Sequence, residues 1–213
     1  MNKPKYIIFD FDGTIADTLH LALNLYNSFA HKFKTKQVNP EDIEHLRARK
    51  PQEFLKAYGI SSLKLFFILL RIRKELHLHI TNIDPVEGIQ QALADLKKAG
   101  YRLGILTSNS VKNVELFCQH NGLQNYFDFI YSGRNAFGKE KVIRRLLKRE
   151  NIRKEEVMYV GDETRDIEAC HIAGIPIIAV TWGLNHGNIL SALHPEHLID
   201  HPSELLACLT KTR

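Results

Sequence analysis

Cysteine pairs, long apolar runs and concentrated charge are all scarce in this chain of 213 residues. The three cysteines, Cys118, Cys170 and Cys208, are odd in number and widely spaced, with no CxxC pair. That excludes a disulfide framework and points to a reduced, cytoplasmic setting. The longest apolar run, residues 65–70, falls far short of the roughly 20 residues that cross a bilayer. It reads as a buried helix of a small bundle, so no membrane is expected as partner. The opening MNKPK lacks the apolar core of a secretory signal. No internal repeat or low-complexity tract stands out. The net charge of +5 and pI near 9.0 suit an anionic substrate. The Lys and Arg are spread along the chain rather than gathered on one face or tail, so no nucleic acid is expected.

What is present is the material of a packed core, with 44% hydrophobic and 25% charged residues. The length suits one large domain or a domain with a smaller insertion. The organising stretch is residues 6–18, YIIFDFDGTIADT. Residues 6–9 read as a buried strand that ends at Asp10, and Gly13 and Thr14 break the run. In extended backbone, residues two apart point the same way, so Asp10 and Asp12 are expected to converge at the strand's C-terminal end. That is where open α/β sheets place their ligands. Two such carboxylates repel one another and are costly to desolvate; a divalent cation removes the repulsion. The plainer alternative is a turn in which one Asp caps a helix and the other faces water.

From Ile15 to residue 84 the pattern is helical throughout. A long helix is expected over 15–34 and a short one from Asn39-Pro40 to about Arg49. Another opens at Pro51 and stops at Gly59, and one capped by Ser61 or Ser62 runs to about Leu76. After Asp84-Pro85, strands alternate with helices that glycines close. Helices are expected over 86–99, 111–121, 139–149 and 164–173, with strands at 101–109, 127–131, 157–160 and 175–180. That alternation predicts an α/β fold, a doubly wound and mostly parallel sheet covered on both faces. Residues 1–15 and 85–213 are expected to form a Rossmann-like core domain, and 16–84 an inserted all-helical cap placed over the first strand's C-terminal edge as a lid.

Three further clusters fall at strand tips or helix starts. Thr107, Ser108 and Asn109 end the strand at 101–109. They offer a hydroxyl and backbone N–H groups for an anionic oxygen, or merely a cap for the next helix. Lys139 opposes the dipole of the helix it begins and needs a compensating anion. A solvated surface lysine is the plain reading, and Lys141 is its rival. In YVGDETRDIEA, Asp162, Glu163 and Asp166 crowd one turn, either as helix-start acids or as a cation site. The eleven histidines match no zinc pattern. The basic residues Arg47, Arg49 and Lys50, and Arg71, Arg73 and Lys74, fit a solvated helix face. Alternatively, Arg49 or Lys50 meets the anionic end of a substrate.

These strings, in this order, resemble the haloacid dehalogenase-like hydrolases: hydrophobic strand then DxDGT, a strand-end Thr, a Gly-Lys at Gly138-Lys139, and GDxxxD. The tail, AVTWG followed by HPEHLIDHPSELL, is similar to their phosphoglycolate phosphatase-like branch. The resemblance implies Mg²⁺-dependent hydrolysis of a small phosphorylated metabolite through an aspartyl-phosphate. It assigns Asp10 as nucleophile and Asp12 as acid and base. Asp10 and Asp162, with the Asp12 carbonyl, would hold the metal. Thr107 and Lys139 would hold the phosphoryl oxygens beside Ser108 and Asn109. Gly13, Glu163 and Asp166 would support them, with Asp166 paired to Lys139. A phosphomutase of the β-phosphoglucomutase type and a non-catalytic metal- or phosphate-binding regulator are the alternatives. A dehalogenase would leave Asp12 no leaving group to protonate. The expected assembly is a monomer or homodimer.

Overall fold

The computed structural model describes residues 4–43, 47–48, 55–133 and 138–210. Its sheet comprises β1 (Tyr6–Phe9), β2 (Arg102–Thr107), β3 (Phe129–Ser132), β4 (Val157–Gly161), β5 (Ile177–Val180) and β6 (His197–Ile199). All five pairings are parallel, in the order β3-β2-β1-β4-β5-β6. The chain winds outward from β1 to one side and then from β4 to the other. This reversal makes a crevice at the carboxyl ends of β1 and β4. Phe9 lies level with Ile105 on one side and Val160 on the other.

Strand alternation sends Ile7 and Phe9 to one face and Ile8 to the other. Helices α3 (Ile89–Lys98), α4 (Val111–His120) and α8 (Leu205–Thr210) cover the first face with Leu93, Leu96, Phe117 and Leu205. Helices α5 (Lys139–Arg149), α6 (Thr164–Ala173) and α7 (Gly187–Ser191) cover the second with Ile143, Leu146, Ile167 and Leu190. In α5, Val142, Ile143, Leu146 and Leu147 fall on one stripe and are buried. Each large apolar side chain so buried contributes about 1.5–3 kcal/mol. Cys118 and Cys170 are buried in these two layers. Burial pushes the Cys118 thiol up to about 12, with Glu115 adding to the rise.

Between β1 and α3 lie α1 (Leu19–Phe29) and α2 (Ser62–Leu78), which pack on each other around Tyr26, Phe29, Ala30, Val38, Ile60 and Ile68. Two chain crossings tie this part to the sheet. Asp17 N donates to Asp84 O at 3.0 Å and Val86 N to Ile15 O at 2.9 Å. Among the described residues, no strand interrupts 17–84. No helix among them is long and apolar enough to cross a membrane.

Several expected boundaries move. Helix α1 starts at Leu19 rather than near Ile15, because the Phe11 carbonyl accepts the N–H groups of Thr14, Ile15 and Ala16 in a tight turn. It ends at Phe29, well before Lys34. Helix α3 starts at Ile89, after Gly88 takes a positive φ of 79°. Ser61 caps α2, and Ser110, rather than Ser108 or Asn109, caps α4 by accepting from Asn113 N at 3.2 Å. Strand β6 and helix α7 were not anticipated. The Asn39-Pro40 helix start is a 3₁₀ turn over Pro40–Asp42. In the rest of the expected helix, Ile43 and Arg47 are helical; residues 44–46 and 49, and the start at Pro51, lie outside the described residues.

Candidate active site

Each crevice residue is held by the strand or helix end that carries it. Asp10 directly follows β1, and its backbone N–H extends the ladder to Val160 O at 2.8 Å. Its Oδ1 accepts from Phe11 N and its Oδ2 from Lys139 Nζ, each at 2.8 Å. Lys139, the first residue of α5, also donates to Asp166 Oδ1. Asp166 Oδ2 in turn accepts from Glu163 N at 3.1 Å, within a reciprocal cap that starts α6. The lysine therefore joins two carboxylates from distant parts of the chain, while Lys141 lies exposed on the same helix.

Asp162, just past β4, is fixed at both oxygens. Thr14 Oγ1 donates to its Oδ1 at 2.8 Å and Leu184 N to its Oδ2 at 2.7 Å. Two glycines make room for it. A Cβ at Gly183 would stand 2.2 Å from Asp162 Oδ2, and one at Gly13 would stand 2.4 Å away. Trp182 Nε1 donates to Thr14 O at 3.1 Å, which fastens the loop after β5 to the turn after β1. One carboxylate oxygen each from Asp10, Asp162 and Asp166 lie within 4.8 Å of one another, and all three residues are buried.

The opposite wall is the end of β2. Thr107 is buried, and its Oγ1 accepts from Asn109 N at 2.8 Å. Thr107 and Ser108 line a pocket with Asp10, Lys139, Val142 and Arg165. Asn109 stands apart from that lining. Its Oδ1 accepts from Ser110 N and Asn113 Nδ2, so the loop itself uses the amide.

The charges are packed tightly enough to perturb one another. Burial alone would push Lys139 down, yet Asp10 and Asp166 hold it well above its ordinary value. Its ammonium also lies 5.3 Å from the centre of the buried Tyr159 ring. Burial, then the charges of Glu163, Asp166 and Asp10, raises Asp162 well above the usual carboxylate range. Burial likewise raises Glu163 and Asp166, against the opposing pull of Arg165 and Lys139 respectively.

Asp10, Thr107, Ser108, Lys139, Asp162, Glu163 and Asp166 thus meet as a group, with Gly13 beside Asp162. Asp12 lies two residues past Asp10, beyond the end of β1. The three carboxylates that lie within 4.8 Å of one another are those of Asp10, Asp162 and Asp166. Asp12 sits half-buried in a bridge to Ala16. Among the described residues, no histidine joins such a cluster. Arg49 and Lys50 lie outside the described residues. Sequence reasoning missed Arg165, Tyr159, Thr14 and the Leu184 N–H. Arg165 and Thr14 stood inside the quoted strings, whereas a backbone N–H leaves no signal in side-chain identity.

The sheet order and the lysine-bridged acids at its strand tips place the chain among the Rossmann-like α/β enzymes whose chemistry lies at the carboxyl edge. Residues 7–180 match the family described as haloacid dehalogenase-like hydrolase, and the chain belongs to that family. It is 35% identical over 205 residues to a phosphoglycolate phosphatase of Synechococcus elongatus, covering 96% of this chain and 97% of that one. It is 24% identical to a pyrophosphatase of Bacillus mycoides, with 98% of each chain covered. The fold is similar to that of a predicted phosphatase from Clostridium acetobutylicum, with a TM-score of 0.81 at 21% identity over 98% of this chain and 99% of that one. The Synechococcus relative carries the name of the branch that the tail resembles.

Proposed function

We propose that the chain hydrolyses a small phosphate monoester through a phosphoryl group carried on Asp10. The observation that supports this most is the Asp10–Lys139–Asp166 bridge, set within 4.8 Å of Asp162 and facing the Thr107–Ser108 wall. Asp10, Asp162, Glu163 and Asp166 outnumber Lys139 and Arg165 by two charges, a surplus that one divalent cation balances. Asp10 and Asp162, with the Asp12 carbonyl, offer the all-oxygen donors that Mg²⁺ prefers. Bound there, the cation would offset phosphoryl charge and help align the ester.

The side chains supply the remaining chemistry. An Asp10 carboxylate oxygen attacks phosphorus in line, and the bond to the leaving oxygen breaks. Asp12 protonates that alkoxide. It then takes a proton from the water that attacks phosphorus, releasing phosphate and restoring Asp10. Lys139, Thr107 and Ser108 hold the phosphoryl oxygens as charge spreads over them. Asp166, with both oxygens engaged, positions Lys139.

Residues 1–15 and 85–213 act as the core domain and 16–84 as the cap that closes over it. A contact from Arg47 Nη2 to Thr181 O at 2.5 Å supports that docking. Likeness to the Synechococcus phosphatase supports phosphoglycolate as substrate, and Cys118, Cys170 and Cys208, which form no disulfide, suit the cytoplasm. Activity on 4-nitrophenyl phosphate with Mg²⁺ provides the test. Asp10→Asn is expected to lower turnover by about 10³-fold or more while the circular dichroism is kept. Turnover near the wild-type rate would remove the mechanism.

A further inference from the structure

Arg165 is the second cation of the crevice, and the bridge built by Lys139 does not involve it. It stands in the first turn of α6, where a positive charge opposes the helix dipole and calls for an anion nearby. Glu163 Oε1 supplies one, accepting from Nη2. Among the described residues Glu163 is the one hydrogen-bond partner of the guanidinium, which leaves Nε and Nη1 available. The side chain lines the pocket with Thr107, Ser108 and Lys139 and stays 44% exposed. Burial would lower its pKa, but Glu163, Asp10 and Asp166 together raise it.

A single phosphoryl group between Thr107, Ser108 and Lys139 would use the inner wall and leave the fork of Arg165 facing whatever that group is attached to. A planar guanidinium held by one edge suits a carboxylate or a phosphoryl oxygen pair better than a hydroxyl or an apolar group. We propose that Arg165 is the specificity-determining residue of this site, taking the second anionic group of a substrate whose first phosphoryl lies against Thr107, Ser108 and Lys139. Glu163 holds the guanidinium by one edge and so aims the other. The inference rests on the hydrolysis proposed above and sharpens its substrate class to esters or anhydrides that carry two anionic groups.

Steady-state kinetics with Mg²⁺ on three substrates separates the possibilities. Phosphoglycolate offers a carboxylate, inorganic pyrophosphate offers a second phosphoryl group, and 4-nitrophenyl phosphate has an uncharged remainder. Wild type is expected to prefer one of the first two, and that preference names the second anion. Arg165→Gln is expected to cut kcat/KM on the preferred substrate about 30-fold more than on 4-nitrophenyl phosphate, chiefly through KM. Arg165→Lys, which keeps the charge without the fork, should recover part of the loss. A wild type that favours 4-nitrophenyl phosphate overturns the inference and leaves hydrolysis standing. So does an Arg165→Gln loss that is equal on all substrates or confined to kcat. A wild type inactive on all three removes the hydrolysis reading and this inference together.

Discussion

The sheet and the helical pair above it are built to different standards. On the sheet, Ile7, Ile8, Phe9, Leu103 and Ile105 are wholly buried between two helical layers. On α2, Leu63, Phe66 and Phe67 remain 68, 52 and 50% exposed. A small cluster around Tyr26, Phe29 and Ile68 holds the helical pair together. The contrast teaches where each task resides. Charged groups buried within a few ångströms of one another need rigid supports, and parallel strand ends with helix starts provide them. Among its described residues the helical pair carries no such acidic cluster, and α2 leaves large apolar side chains exposed.

The largest effect that can break this comparison is at Lys139. Lys139→Ala removes the cation that joins Asp10 to Asp166 and should lower kcat by about 10³-fold at an unchanged circular dichroism. A drop under about tenfold would show that the bridge is not part of the chemistry. Gly183→Ala comes next. Its methyl would meet Asp162 Oδ2 at 2.2 Å, so the carboxylate must shift. The expected result is a loss of about 10²-fold and a raised Mg²⁺ requirement in a metal titration. Ile68→Ala probes the helical pair. It should destabilise by about 2–4 kcal/mol in urea unfolding, yet change kcat on 4-nitrophenyl phosphate by less than about threefold. A collapse of kcat would make the two regions one catalytic unit.

The smallest effect concerns pH. Hydrogen bonds from Arg153 and Lys5 hold Glu156 down from 4.5 to about 2. A depressed carboxyl contributes stability that is full above its unfolded value and is lost as pH falls through its folded value. The stability gap between wild type and Glu156→Gln should therefore be constant at neutral pH and shrink steadily from 4.5 toward about 2. Activity near neutral pH should be the same in both. A gap that widens in acid would reverse the sign assigned to these pairs.

Within the sheet and its covering helices, legibility differed from element to element. Helices α5 and α6 run over the expected residues because apolar spacing and a stop such as Gly174 mark them locally. The meeting of Asp10, Thr107, Lys139, Asp162 and Asp166 could be anticipated because each sits at a strand tip or helix start in one family order. The turn after β1 could not. Periodicity sees Ile15 and Ala16 as helical, whereas three hydrogen bonds to the Phe11 carbonyl decide their conformation. Strand β6 is only His197–Ile199, too short and too polar at its start to show a period. Arg165 sat unread in the acidic string, because only the pocket shows that it shares a wall with Thr107 and Lys139.

Acid quenching during turnover, followed by peptide mass spectrometry, tests the central claim most directly. The account predicts one phosphoryl group on the peptide that contains Asp10, absent in Asp10→Asn and chased by excess fresh substrate. A phosphoryl group on a different side chain, or the same adduct formed in Asp10→Asn, would contradict it.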